Sequence, residues 1–212
     1  MEQLKKYFED FTPEQIGQLE ALKGLYGEWN SRINVISRKD MDHFNEHHVL
    51  HSLSIAALFD LPDGYEVMDL GCGGGFPGIP LAILFPAVHF HMVDSIKKKL
   101  TVVSSIAATI GLKNITTSHT RAEDMSGMKF NLIISRAVAP LKDLWRWSKP
   151  LLKKTGPARD SMLQPNGLIC LKGGDLAREI SETDCKPLIW EINKIFSEEY
   201  FLEKYLLYIP NK

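Results

Sequence analysis

Over the first 60 positions apolar residues recur every three or four places: Leu4, Phe8 and Phe11, then Ile16, Leu19, Leu22, Leu25, Tyr26 and Trp29. That spacing puts them on one face of a helix. Thr12 followed by Pro13 supplies an N-cap and a first-turn proline for the second of these helices. WNSRINVIS reads as its end and a connection, and a further helix is expected over residues 40–59, stopping before LPDG. Beyond it the period changes. Candidate strands, YEVMDLG, VHFHMVD, NITTSHT, FNLIISRA and LICLKG, alternate with helix-like stretches, GIPLAILF, SIKKKLTVVSSIAATIGL, PLKDLWRWSKPLLKK and DLAREISE. Such alternation predicts a doubly wound α/β fold, a parallel sheet with helices on both faces. After Pro187, LIWEINKIF and YFLEKYLLYIP have no helix between them and read as a terminal antiparallel hairpin. VMDL is too apolar for an edge strand, so it is expected at the centre, with its loop where ligands bind. The chain thus divides into an N-terminal helical extension, residues 1–60, and an α/β domain, residues 61–212.

Composition adds little to this picture. At 212 residues, 44% hydrophobic and 24% charged, the chain has the make-up of an ordinary globular protein. No apolar run approaches the roughly 20 residues of a membrane span, and MEQLKKYFEDF has no apolar signal-peptide core. Cys72, Cys170 and Cys185 are odd in number and far apart, which speaks against a disulfide framework or a zinc knuckle. A cytoplasmic protein with reduced thiols is expected. Charge is more informative, because the net −1 hides a segregated distribution: residues 136–178 carry nine Lys/Arg against three acids. A basic block on an otherwise acidic chain fits either a polyanion approaching one face or a merely solvated surface.

The chemistry concentrates in VMDLGCGGGFPGIP, residues 67–80. Gly71, Gly73 and Gly75 form GxGxG, and Gly73, Gly75 and Gly78 also satisfy GxGxxG. Glycines there let the backbone turn sharply and approach a ligand, but nucleotide sites, cofactor sites and plain turns share the pattern. The Walker pattern fails, since no Lys-Ser/Thr follows. Asp69, two positions before the first glycine, would oppose a pyrophosphate and favour an ammonium or sulfonium group. Asp94, at the end of the second strand and 19 residues after Gly75, is placed to accept hydrogen bonds from ribose hydroxyls. Asp69, the glycines and Asp94 fit S-adenosylmethionine better than a dinucleotide.

These segments resemble the glucose-inhibited division protein B family, the 16S rRNA (guanine-N7) methyltransferases. WNSRINVIS, HHVLHSLSI, DLGCGGGFPGIPLAI, MVDSIKKKLTVV, TRAED and ISRAVAPL followed by LKG carry the resemblance, which covers nearly the whole chain. GFPGIPLAI is its most specific run. The resemblance implies a Rossmann-like S-adenosylmethionine-dependent methyltransferase sheet with an antiparallel C-terminal strand. It implies methyl transfer to N7 of a guanine in 16S rRNA, with that RNA or a small ribosomal subunit precursor as partner. It also implies that Gly71 and Phe76 line the cofactor site, that Ala122 and Glu123 lie at the adenine, and that Arg136 is a binding-site arginine. Arg136 suits three partners equally: the methionine carboxylate, a substrate phosphate, or a base to stack on. Cys72 reads as a small filler rather than a nucleophile.

What is missing narrows the reaction. SRAVAP follows the fourth strand in place of the Asn/Asp-Pro-Pro-aromatic of amino-group methylases, and no cysteine follows a proline. Guanine N7 needs neither device, because its in-plane lone pair attacks a sulfonium methyl directly. Arg136 is then expected to position, with no general base. Lys142, Arg146, Lys149 and Lys153 follow at spacings of four, three and four, one helical face that Pro150 must interrupt, and Arg159 lies beyond. They are the candidate contacts to RNA phosphates. Of His47, His48 and His51, only His47 and His51 stand one helical turn apart and no third convergent ligand joins them, so packing near the cofactor mouth is expected and no metal. A monomer is expected. A small-molecule methyltransferase and a non-catalytic nucleotide-binding module are the rival readings.

Overall fold

The computed structural model describes residues 1–136, 138–154 and 164–211, the side chain of Arg38 excepted. The sheet strands are β1 (Glu66–Leu70), β2 (His89–Asp94), β3 (Ile115–His119), β4 (Leu132–Arg136), β5 (Gly167–Gly173), β6 (Leu188–Glu191) and β7 (Lys204–Pro210). They lie in the order β3-β2-β1-β4-β5-β7-β6. The first five run parallel, and β7 pairs antiparallel with both β5 and β6. β7 therefore enters between β5 and β6, and two 3-10 turns, Ile192–Lys194 and Glu199–Phe201, fill the long hairpin connection.

The helices are α1 (Glu2–Lys5), α2 (Pro13–Asn30), α3 (Arg38–Asp42), α4 (His51–Leu53), α5 (Gly78–Leu84), α6 (Lys97–Thr109), α7 (Leu141–Ser148) and α8 (Ala177–Ser181). Right-handed crossovers on either side of β1 put α5 and α6 on one face and α7 on the other. Alternation along β1 serves both layers: Val67 packs with α2, α5 and α6, while Met68 and Leu70 pack with Leu141 and Leu144 of α7. The N-terminal helices join the first layer, where Leu19, Leu22 and Tyr26 share one core with Ile79 and Leu81. Thr12 and Gln15 form a reciprocal capping box at the start of α2. Gln15 Nε2 then donates to the Ile83 and Leu84 carbonyls, and Gln18 Nε2 to that of Ile110, fastening α2 to the C-terminal ends of α5 and α6.

The single helix expected over residues 40–59 is broken. α3 ends at Asp42, and a π-helical turn, Asn45–Leu50, leads into the short α4. Side chains have claimed the carbonyls that an α-helix would use. Arg136 Nη1 donates to the His47 carbonyl at 3.1 Å, Ser52 Oγ to that of His48 at 2.6 Å and Ser54 Oγ to that of His51 at 2.7 Å. The His51 N–H instead reaches the Glu46 carbonyl, five residues back. No helix among the described residues is long and apolar enough to cross a membrane.

Candidate functional site

β1 and β4 are neighbours whose onward connections leave in opposite directions, so their C-terminal ends form the switch point of the sheet. Ser135 Oγ clasps the two strands there by donating to the Leu70 carbonyl at 2.9 Å. A cavity of about 550 Å³ opens at this point, within the usual range for small-molecule sites. Its floor is the glycine turn. Gly71, Gly73 and Gly75 have φ of +70°, +55° and +105°, left-handed geometry that side chains resist.

Most amides of this turn are engaged within the fold. Those of Gly71 and Cys72 donate to the Val93 carbonyl, and those of Gly75 and Phe76 to the Cys72 carbonyl. The Gly73 N–H donates to Asp94 Oδ2 at 2.9 Å, and the Gly78 N–H, first of α5, to Asp69 Oδ2 at 2.8 Å. A pyrophosphate needs such donors free. Here two carboxylates take the two places it would use, which disfavours a dinucleotide and leaves a site for a ligand without phosphate.

Asp69 itself differs from its expected role. It is fully buried and lies behind the cavity wall, so it secures the glycine turn to α5 instead of facing the ligand. Burial pushes its carboxyl up to about 7, against the opposing pull of the Gly78 amide and the Arg136 charge. A carboxyl with its folded pKa raised above the unfolded value costs stability as pH climbs between those two values. Asp69→Asn keeps the acceptor for Gly78 and removes that cost. Its stability relative to the parent, read as the urea midpoint, is expected to increase from pH 5 to pH 8; a gap independent of pH would show that Asp69 is ionised throughout.

Asp94 lines the cavity and does two jobs. Oδ1 accepts the Ile96 N–H at 2.8 Å while Oδ2 holds Gly73, so one carboxylate ties the turn to the start of α6. Ala122 and Glu123, on a 3-10 turn after β3, line the same cavity, with Glu123 ion-paired to Arg121 at 3.6 Å. Phe76 and Arg136 complete the wall, the guanidinium 5.2 Å from the Phe76 ring centroid. Arg136 Nη2 bonds His48 Nδ1 at 2.9 Å, which fixes the His48 proton on Nε2. Burial, then the Arg136 charge, takes His48 down to about 3, so it is neutral. Among the described residues Arg136 has no carboxylate within ion-pair distance. It is a held cation facing a cavity.

Three apolar wall residues were not singled out as site residues by the sequence: Val35, Val138 and Trp147. Val138 lies so close to Gly71 that a Cβ there would meet its Cγ2 at 2.5 Å, and Val35 stands 3.1 Å from the same point on Gly74. Beneath the turn, Tyr26 donates from Oη to the Gly74 carbonyl at 2.5 Å and packs against Phe76 and Phe44. Tyr26→Phe is expected to strand that carbonyl at a cost of about 1–3 kcal/mol. Calorimetry should then show weakened cofactor binding beside a lowered melting temperature; unchanged affinity would make Tyr26 a packing residue only.

The basic stripe does not gather at the cavity. Lys142 and Arg146 lie on α7, with Arg146 ion-paired to Asp143 at 2.9 Å and 5.8 Å from the Trp147 ring. α7 ends at Ser148, where a 3-10 turn holding Pro150 begins, and Lys149 sits 6.0 Å from the Trp145 ring. Lys153 is a correction: Leu152 bridges Phe130 and Lys153 Nζ bonds Asn131 at 2.9 Å, at the opposite, N-terminal end of β4. Arg159 lies outside the described residues. His47, His48 and His51 pack beside Arg136 and Tyr200, and no group of three metal-binding side chains occurs among the described residues.

Residues 15–199 match the family model described as rRNA small subunit methyltransferase G. The chain is 52% identical to the ribosomal RNA small subunit methyltransferase G of Bacteroides fragilis, over 99% of each chain. It is 50% identical to that of Bacteroides thetaiotaomicron, over 98% of each. Its fold is similar to that of a mutant of MtNAS solved in complex with S-adenosylmethionine, with a TM-score of 0.58 at 10% identity, covering 93% of this chain and 72% of the other.

Proposed function

This chain belongs to the rRNA small subunit methyltransferase G family, and from that we propose that it transfers a methyl group from S-adenosylmethionine to N7 of a guanine in 16S rRNA. The observation that carries this is the cavity at the switch point, floored by a glycine turn in which Asp94 takes the Gly73 amide and Asp69 that of Gly78. A phosphate-free cofactor with a carboxylate and a ribose meets complementary groups there. Gly71, Gly73, Gly75 and Phe76 form its bed, Asp94 accepts from the ribose, and Ala122 and Glu123 lie at the adenine. Arg136, lacking an acid partner, takes the methionine carboxylate or positions the target nucleotide. Asp69 acts on the cofactor through the turn it secures.

When bound, the cofactor supplies an electrophilic methyl on a sulfonium. The chain's own task is to hold the guanine in line with it and to exclude water. The N7 lone pair carries no proton, so no side chain need act as a base. No thiolate is on hand for carbon methylation either: burial drives the Cys72 thiol far up and that of Cys170 to about 12. No step activates water, so the reaction calls for no metal. On this account the enzyme acts in the cytoplasm as a monomer.

The test is tritiated methyl transfer to unmodified 16S rRNA and to small subunits, followed by nucleoside analysis. Label recovered as 7-methylguanosine is the expected result. Cofactor binding by calorimetry without label in RNA would leave a methyltransferase of some other substrate.

A further inference from the structure

The first turn of α6 reads Lys97, Lys98, Lys99, with no acid in it. The N-terminal end of a helix is its positive end, and cations there oppose the helix dipole. Three in succession is therefore a local conflict, of the sort proteins keep where a ligand repays it. Lys97 and Lys98 are exposed, and none of the three pairs with an acid among the described residues. Nothing within the fold compensates the charge.

Position gives these lysines their meaning. Lys99 reaches the cavity wall, and Arg121, 71% exposed on its side chain, lines the same mouth from the loop after β3. In the strand order, the loops after β2 and β3 lie on one side of β1 and the loop after β4 on the other. Lys97, Lys98, Lys99 and Arg121 thus flank the cavity on the β2–β3 side, with Arg136 on the β4 side. Ile96, 47% exposed, and Trp147 offer apolar surface at the mouth between the two flanks.

We propose that the first turn of α6, with Arg121, is a phosphate-contacting surface for the RNA substrate, so that the strand carrying the target base is held on both sides of the cavity. This rests on the reading of the substrate as RNA. Because Lys97 and Lys98 are exposed and do not line the cavity, their charge serves the polyanion and not the cofactor.

The test uses Lys97→Glu with Lys98→Glu, and separately the double glutamine variant. Acids suit the start of a helix, so the glutamate variant is expected to melt no lower than the parent, which separates an RNA defect from a folding defect. The concentration of unmodified RNA or subunits giving half-maximal transfer is expected to rise about tenfold or more, with cofactor affinity by calorimetry unchanged. In the glutamine variant, the slope of log affinity against log salt should flatten by about 1.4–1.8 for two lost phosphate contacts. Parental RNA affinity and salt slope in both variants would overturn the proposal while leaving the methyltransferase reading intact. Failure of the parent enzyme to label RNA at all would overturn both.

Discussion

Arg136→Met is expected to lower kcat/KM by about two orders of magnitude, the equivalent of roughly 3 kcal/mol in the transition state. The guanidinium is fastened at three points: the His47 carbonyl, His48 Nδ1 and the face of Phe76. Methionine fills similar volume but takes the donors from the His47 carbonyl and His48 Nδ1 and removes the positive charge beside Asp69 and His48. Arg136→Lys should recover little, because one ammonium cannot serve both acceptors and still face the cavity. A purely structural role would lower stability and leave kcat/KM of the folded enzyme near that of the parent. A positional, charged role predicts that the His48 pKa rises in the methionine variant, since the Arg136 charge is second only to burial in holding it down. The shift is measurable by NMR on the imidazole. An unchanged His48 titration together with near-normal kcat/KM would place Arg136 outside the working site.

Gly75→Ala is expected to be far more damaging than the same change at Gly73. At φ +105° an alanine is strained whatever room it has, and its Cβ would meet Ile79 Cδ1 at 2.6 Å and Tyr26 Oη at 3.1 Å. Strain and overpacking together suggest a loss of about 2–4 kcal/mol. For a chain of this size that corresponds to a melting temperature lower by roughly 5–15 °C. Because the displaced groups are the first turn of α5 and the hydroxyl that holds Gly74, cofactor affinity should fall as well. Gly73→Ala is the internal comparison. Its φ is +55° and no atom lies within 4 Å of the added carbon, so only the backbone cost of about 1–2 kcal/mol applies. Equal damage from the two would mean that crowding at Ile79 and Tyr26 is relieved by movement of the turn.

The alternation of strands and helices was legible because parallel strands buried on both faces are rich in apolar residues, most clearly in LII of β4 and LICL of β5. The glycine turn and Asp94 were legible for a similar reason: their residue types are costly or unusual at those positions unless a ligand or a tight turn requires them. Other features rest on contacts between distant positions, which no local pattern announces. The break near His47 depends on a guanidinium 89 residues further along. Asp69 reads as a ligand-facing acid in any list of motifs, and only the direction of its carboxylate, toward Gly78, makes it a fastener. Lys153 shares a helical spacing with Lys142, yet the 3-10 turn at Pro150 carries it to the other end of the sheet. Val35 and Val138 are ordinary apolar residues until the fold brings them against Gly74 and Gly71.

The fastening of α2 has a consequence for how this part of the molecule tolerates change over generations. Gln15, Gln18 and Tyr26 all bond to main-chain carbonyls, and Asn114 Nδ2 likewise reaches those of Ala82, Phe85 and Val88. A carbonyl is present whatever side chain its residue bears. Substitutions at Ile83, Leu84 or Ile110 can therefore alter packing but cannot delete the acceptor. Each of these fasteners is vulnerable from one partner only, whereas a pair of side chains would offer mutation two targets. The seat of the cofactor turn is thus guarded by a few donors, while the segments they grip remain free to drift.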